Sequence, residues 1–383
     1  MKIKIIFIID NSVELSSKDP LYNKCISQLS NLKKIEFDTL IYNAEINKFL
    51  SIDNCNEKIK IRKNTFNRYF NYIKNKIICD MNMYKLISIL DEKNIVYMRY
   101  PVPTPILFFS FRKKRRCKII MEFQSIEFLE FKINHLYILM LFELIFGNSI
   151  RNKLDGLVSV TNQIKEYESL KSGDLNIPNI YIGNGVNVDS LKMRSVPSYS
   201  GNEMHILCVA NINPWHGIDR LLHGILLYAG EVNLVLHIVG DGNISNSFKK
   251  ISECNDTSKK VIFHGYLTGS KLDNLFDICH ISMGSLGMHR IGLQEGTPLK
   301  TREYCSRGIP FFISYRDPDF DASFPFMLKI PADDSPANVG EIINFVKKIY
   351  TDKKHNEKMR LYALNKLDWS VKMKQLKLFL NDI

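Results

Sequence analysis

The sequence predicts an α/β protein of two domains, each built on a mostly parallel sheet. Three observations carry that prediction. Short apolar runs of strand length alternate with stretches of helical periodicity along most of the chain. The strand runs are unbroken rather than alternating, as expected of strands covered on both faces. And 383 residues exceed what one small core accommodates but suit two domains of ordinary size.

In the first half, the run Ile3–Ile9 reads as a buried strand and Ile35–Tyr42 as a second. The basic, Asn-rich stretch from about Asn54 to Leu90 has the apolar spacing of one or two helices. Asn94–Tyr100 is a strand stopped by Pro101, and Lys118–Glu122 and Gly156–Thr161 are further strands, the last followed by a helix through Leu170. Phe131–Gly147 is the most apolar helical stretch, and packing in the core is its expected role; an interfacial membrane helix is the alternative. The chain changes character at Gly183-Asn184-Gly185, and residues 189–203 are polar. Domains are therefore expected at 1–185 and 204–355, with a linker at 186–203 and terminal helices at 356–383.

The second half is cleaner. Met204–Val209, Asn233–Val239, Lys260–His264, Ile278–Met283 and Phe311–Ser314 read as strands. Gly217–Ala229 and Lys271–Phe276 read as helices between them, and a last helix starts near Ser370. Glycine loops follow several of these strands, at the carboxyl ends where open α/β sheets bind ligands.

Composition narrows the function classes. The hydrophobic fraction of 45% and charged fraction of 24% are those of a soluble globular protein, and no apolar run approaches the ~20 residues that span a bilayer. The N-terminal apolar run is cut at Asp10 with no small-residue cleavage site after it, so it reads as a strand rather than a signal peptide. Eight cysteines without metal-ligand spacing fit a reducing, cytoplasmic setting, with Cys208 and Cys279 as buried thiols. The net charge of +12 is densest at Arg112–Lys118. A solvated loop and an anionic membrane surface both account for that run; nucleic acid is disfavoured because no stacking or recognition-helix pattern accompanies it.

The most informative stretch is Gly287–Phe312, GMHRIGLQEGTPLKTREYCSRGIPFF, in which seven residues separate Glu295 from Glu303. Thr297 is a good N-cap, Pro298 suits the first helical position, Gly308 suits the left-handed C′ position and Pro310 stops continuation. A helix is predicted over about 298–307, with Glu295 in the loop before it and Glu303 past its first turn. Its N-terminus, with Leu299, Lys300 and Thr301, suits a phosphate. An anion site bracketed by two acceptors for sugar hydroxyls is a nucleotide-sugar site in outline. The competing reading takes Lys300, Glu303, Tyr304 and Arg307, at i, i+3, i+4 and i+7, as an ordinary solvated face.

This segment resembles the Glu–seven residues–Glu signature of retaining glycosyltransferases of family 4, and LKTREYCSRGIPFF looks like bacterial members that build capsular, exopolysaccharide or O-antigen chains. The resemblance implies the GT-B fold: two Rossmann-like domains facing across a cleft, with a C-terminal helix crossing back to the first. It also implies that Glu295 contacts the donor sugar and Glu303 the ribose. Gly240-Asp241-Gly242 matches the family's glycine turn, making Gly240 and Gly242 donor contacts, and Phe263-His264-Gly265-Tyr266 matches the segment facing the base, with Tyr266 as its side-chain candidate. At NINPWHGIDR the family's diphosphate-clamping Arg and Lys are replaced by Ala210 or Asn211 and by His216, so Arg290 and Lys300 are the candidate cations. His216 is equally readable as a helix-start residue with a structural hydrogen bond.

On the acceptor side, Glu122 or Gln124 stands where many relatives have a functional His, and Arg99 ends a neighbouring strand. The family's N-terminal glycine-rich loop is missing after Asp10, where Asn11–Asp19 takes its place. No metal triad is evident and no cofactor is implied beyond the nucleotide-diphosphate sugar as co-substrate. The implied partners are that donor, a lipid-linked saccharide acceptor and an anionic membrane, with the protein peripheral at the inner face of the plasma membrane. Rival readings are another GT-B activity, such as a nucleotide-sugar epimerase or inverting transferase, and a non-enzymatic polyanion-binding scaffold.

Overall fold

A computed structural model describes residues 4–9, 20–35, 37–45, 47–50, 68–240 and 261–383. The expected loop Asn11–Asp19, the first part of the Asn54–Leu90 helical stretch, and Asp241 and Gly242 lie outside them.

The chain divides into two compact units, one of residues 1–183 with 369–383 and the other of residues 184–368. The first unit holds a seven-stranded sheet of order β3-β2-β1-β4-β5-β6-β7. Its strands are β1 (Lys4–Ile9), β2 (Asp38–Asn43), β3 (Lys48–Leu50), β4 (Asn94–Arg99), β5 (Lys118–Phe123), β6 (Gly156–Ser159) and β7 (Asn179–Tyr181). All neighbours pair in parallel except β2 with β3. Ile5, Phe7, Tyr97, Ile120 and Val158 from four of its strands are buried in one core. Trp369, Met373, Leu376 and Leu380 join that core; spaced at i, i+4, i+7 and i+11, they form one apolar stripe of the last helix, Trp369–Asp382, which packs on the helix Pro20–Lys34. The last helix thus returns to the first unit.

The second unit holds a six-stranded sheet of order β10-β9-β8-β11-β12-β13, parallel throughout. Its strands are β8 (Glu203–Val209), β9 (Asn233–Val239), β10 (Val261–Gly265), β11 (Ile281–Met283), β12 (Phe311–Ile313) and β13 (Met327–Lys329). Residues 184–203 group with this unit. Arg194, buried there, donates to the carbonyls of Gly308 and Cys279 at 2.9 and 2.5 Å.

Two expectations are corrected. The strand expected from Ile278 starts at Ile281, because the preceding helix runs through Ile278 and Cys279 ends it in an extended conformation. The apolar stretch Phe131–Gly147 is not one helix, and apart from Phe131 its large apolar residues are not buried in the core. It breaks at His135, whose φ of 57° is left-handed, and resumes as the helix Tyr137–Phe142, which contains no buried residue. A π-helical turn, Glu143–Gly147, follows. In the basic run, Arg115 pairs with Asp155 at 2.7 Å and Lys118 donates to the Ile383 carbonyl, whereas Arg112, Lys113, Lys114 and Arg116 are exposed.

Candidate functional site

The predicted helix occupies Leu299–Arg307 and ends at Gly308, whose φ of 81° is the left-handed cap expected of it. Its start differs from expectation by one residue. Pro298 is the N-cap, with extended backbone and no side chain capping the turn. Thr297 is instead engaged with Asn184, whose side-chain N–H donates to the Thr297 carbonyl at 2.9 Å. The solvated-face reading also fails. Tyr304 is wholly buried and its hydroxyl bridges two strand ends, accepting from Val209 N–H and donating to the Met283 carbonyl, each at 3.2 Å. Arg307 is buried too, over the Phe276 ring at 4.5 Å and paired with Asp273 at 2.7 Å.

At the amino end of this helix lies a buried cation. The Lys300 ammonium is inaccessible to solvent and has no hydrogen-bond partner among the described residues. Burial pushes its pKa down to about 8. His216 is close enough to feel that charge: burial first, and then Lys300, push its pKa down to about 2. The imidazole is therefore neutral. Its Nδ1 accepts from the Asn213 N–H at 3.1 Å while the Asn213 side chain accepts from the His216 N–H, a reciprocal capping box. That arrangement is the structural role allowed for His216 in the sequence, and it leaves Nε2 with the proton.

Two glycines shape the surrounding turns. Gly217 has φ 63°, and a Cβ there would lie 2.7 Å from the Leu286 backbone carbon. The two loops lie backbone to backbone, with Leu286 N–H donating to the His216 carbonyl at 2.8 Å. Gly240 has φ 117°, and a Cβ would come within 1.9 Å of the Ala210 carbonyl oxygen. Gly240 N–H donates to the Gly265 carbonyl at 2.7 Å, which ties together the ends of β9 and β10.

The two glutamates occupy different settings. Glu295 is buried, and Arg316 Nη1 donates to its Oε1 at 3.0 Å. A short parallel bridge fixes it further, since Arg316 N–H donates to the Gln294 carbonyl and Gly296 N–H to the Arg316 carbonyl. Glu303, on the helix, is partly exposed and accepts from Arg307 Nε at 2.8 Å. Thr301, also expected at the anion end, is wholly buried, and its hydroxyl donates to the Pro298 carbonyl at 3.0 Å. Leu299 is half-buried, and Asn211 and Tyr266 are exposed.

Arg290, expected as a phosphate cation, is corrected. Its guanidinium forms a two-point pair with Asp219, at 2.9 and 2.7 Å, and donates from Nε to Asp334 at 2.7 Å and from Nη1 to the Pro214 carbonyl. Four donor contacts, three of them to carboxylates, neutralise it and make it a brace between the loop after β11 and the turn 214–219.

Sequence reading missed Arg302. Fully buried, it reaches Asp317 with Nη1 and with Nη2 at 2.8 Å, Asp319 at 2.5 Å and the Asn184 carbonyl at 3.0 Å. It anchors the helix that carries Lys300 and Glu303. The available signal was the pair Asp317 and Asp319 inside an aromatic-rich stretch, but nothing local connects those positions to Arg302.

In the first unit, the acceptor-side candidates sit at the carboxyl ends of β4 and β5. Glu122 is buried and already occupied: Lys24, Gln28 Nε2 at 2.8 Å, the Tyr97 hydroxyl at 2.5 Å and Gln124 all donate to it. Burial pushes its carboxyl up, but Lys24 and the hydrogen bonds outweigh that and hold it below the usual carboxylate range. Gln124 is half-buried beside it. Arg99, in register with Glu122, is half-buried and has no ion-pair partner among the described residues.

Residues 189–319, which include β8–β12, both glutamates, Lys300 and Arg302, match the family model of glycosyl transferases group 1. No curated protein matches the chain. Among solved structures, the apo lipopolysaccharide outer core galactosyltransferase WaaB is similar, with a TM-score of 0.65, 14% identity and 99% of each chain covered. Sucrose-phosphate synthase from Thermosynechococcus elongatus is similar at a TM-score of 0.67 and 12% identity, covering 99% of this chain and 98% of its own. Anabaena HepE in complex with UDP-glucose is similar at 0.63 and 13%, covering 99% of this chain and 100% of its own. The fold is GT-B, with two Rossmann-like parallel sheets. The matched segment together with that fold supports a glycosyltransferase.

Proposed function

We propose that this protein transfers a sugar from a nucleotide-diphosphate donor to a lipid-linked saccharide, with retention at the anomeric carbon, in the assembly of a bacterial surface polysaccharide at the cytoplasmic face of the membrane. One observation carries the donor half of this reading. A lysine ammonium held out of water is costly without a hydrogen-bond partner, and Lys300, which has none among the described residues, lies at the amino end of a helix, where free N–H groups and the dipole favour an anion. A diphosphate supplies the missing charge. Lys300 and the helix end would then stabilise the leaving diphosphate as charge develops on it. Glu295, braced by Arg316, accepts from the sugar, and Glu303 accepts from the ribose. Gly240 lets the backbone approach the nucleotide closely.

The test is calorimetric titration with a panel of nucleotide sugars, UDP-glucose first because HepE binds it. Saturable binding that is lost in Lys300→Met supports the site, and a protein that binds none of the panel returns the chain to the scaffold reading. Proton couplings of the product's anomeric centre separate retention from inversion.

A further inference from the structure

The segment Leu136–Phe146 is turned inside out. Its one carboxylate, Glu143, points inward, where it accepts from Arg151 at 2.6 Å and from the Tyr100 hydroxyl at 3.0 Å. Its large apolar residues point outward. Leu136, Tyr137, Ile138, Leu141, Leu144 and Ile145 are each between 43% and 60% exposed. Positions 137, 138, 141, 144 and 145 follow i, i+1, i+4, i+7 and i+8, so they form one stripe. A helix at a water surface has the reverse arrangement, and a contiguous apolar patch of this kind marks an interaction site.

Charge identifies what covers it. At the carboxyl end of the stripe Phe146 packs on Phe108 at 5.4 Å, and the Arg112 guanidinium lies over the Phe108 ring at 5.2 Å. Arg112 and Lys153, with Asn148 and Ser149, line an open recess of about 340 Å³. Phe109, on the helix Pro105–Arg112, is 67% exposed, and Lys113, Lys114 and Arg116 are exposed after it. Across residues 105–116 and 132–149 the sole acid is Glu143, which is buried. An apolar stripe beside a corner where basic groups outnumber the one acid close by, Asp155, which is paired with Arg115, complements a surface that is apolar within and anionic at its rim. That is an anionic bilayer.

We propose that this face docks the protein on anionic phospholipid. The stripe Leu136–Ile145 enters the boundary between headgroups and acyl chains, and Arg112 and Lys153 take a lipid phosphate in the recess. The proposal rests on the reading above insofar as a lipid-borne acceptor requires the enzyme to work at a membrane.

The test is sedimentation of the full chain with vesicles of phosphatidylglycerol and phosphatidylcholine, and with phosphatidylcholine alone, alongside UDP-glucose titration. Wild type is expected to sediment with the anionic vesicles only. Arg112→Gln with Lys113→Gln should weaken partitioning by about fivefold per residue, the equivalent of ~1 kcal/mol for each basic group. Leu141→Glu with Leu144→Glu should reduce it more than tenfold, while both variants keep wild-type UDP-glucose affinity. Leu141→Trp provides a second readout, a blue-shifted emission on anionic vesicles relative to wild type. Wild type that stays in the supernatant, equal binding to both vesicle types, or charged variants that bind as wild type would overturn the proposal. So would a concentration-dependent dimer, seen by light scattering, that Leu141→Glu dissociates without changing vesicle binding. Loss of UDP-glucose binding with vesicle binding intact would count against the donor site and leave this face standing.

Discussion

Lys300 concentrates the chemistry of the proposed donor site in one atom. Its ammonium titrates near pH 8 because burial disfavours the charge, and an incoming diphosphate reverses that preference. Nucleotide binding should therefore take up a proton, and affinity should fall as pH rises through about 8. Calorimetry in two buffers of different ionisation enthalpy measures the uptake; binding that is independent of pH from 7 to 9 would remove Lys300 from the phosphate contacts. The two glutamates should separate by what they cost. Glu303→Ala should remove the charged acceptor proposed for the ribose, a loss of about 1.5–3 kcal/mol, or one to two decades in affinity for the free nucleotide. Glu295→Gln keeps shape but weakens hydrogen bonding to the sugar in the transition state, so turnover should fall by about two decades with free-nucleotide affinity intact. Normal turnover in Glu295→Gln would falsify this division.

At the level of the element, the helix Leu299–Arg307 is held by buried charge more than by its own propensity. Pro298 provides no capping side chain, and eight residues before it the chain is braced by Arg290. Arg302 secures the other face through Asp317 and Asp319. Removing one member of such a buried pair leaves its partner charged and unpaired, which typically costs about 3–5 kcal/mol. Arg302→Met should lower the unfolding free energy by that order, read as a fall in the denaturant midpoint at unchanged m-value, and Arg302→Met combined with Asp317→Asn should recover part of it. A midpoint unchanged by Arg302→Met would show that the helix is positioned by apolar packing alone.

For the whole molecule, acid should act on the two units in opposite directions. The second unit contains a chain of hydrogen-bonded imidazoles: His264 donates to His237 at 2.9 Å, His237 to His205 at 2.8 Å and His205 to Glu203 at 2.7 Å. Neutral rings protonated at Nε2 satisfy all three bonds. Burial, with the neighbouring rings, pushes His237 down to about 4, and burial pushes His280 down to about 4. The unfolded chain takes up those protons first, so stability is lost as pH falls from about 6.5 towards 4, at ~1.4 kcal/mol per unit of displacement for each ring. In the first unit, Arg151 faces Glu143, Glu168 and Glu127 in a buried cluster. Burial pushes Glu168 up to about 7 and Glu127 well above the carboxylate range. There the folded state takes up protons first, so stability rises as pH falls from about 7 towards 4.5. The chain has two tryptophans, Trp215 in the second unit and Trp369 in the first. Emission from Trp369→Phe and Trp215→Phe variants reports each unit separately, and their melting temperatures should diverge between pH 7 and 4.5. A parallel fall in both would contradict the assigned shifts.

Legible in the residues alone are the α/β class, the strands of both sheets apart from the short edge strands β3, β7 and β13, and the helix beside Glu295 and Glu303. These are local properties: unbroken apolar runs, a glycine able to take the left-handed cap, and a proline that ends a turn. Edge strands of three residues have no such period to read. Only tertiary structure decided which charges are available. Arg290 and Lys300 look alike in sequence, yet one meets Asp219 and Asp334 from elements 71 and 44 residues away while the other has no hydrogen-bond partner among the described residues. Arg302 was missed, and the four donors around Glu122 were not foreseen, for the same reason: ion pairing depends on distances that sequence spacing does not encode. The stretch Leu136–Phe146 is the reverse case. Its apolar character was plain, and its expected place in the core was wrong, because the burial of Glu143 against Arg151 turned its leucines and isoleucines outward.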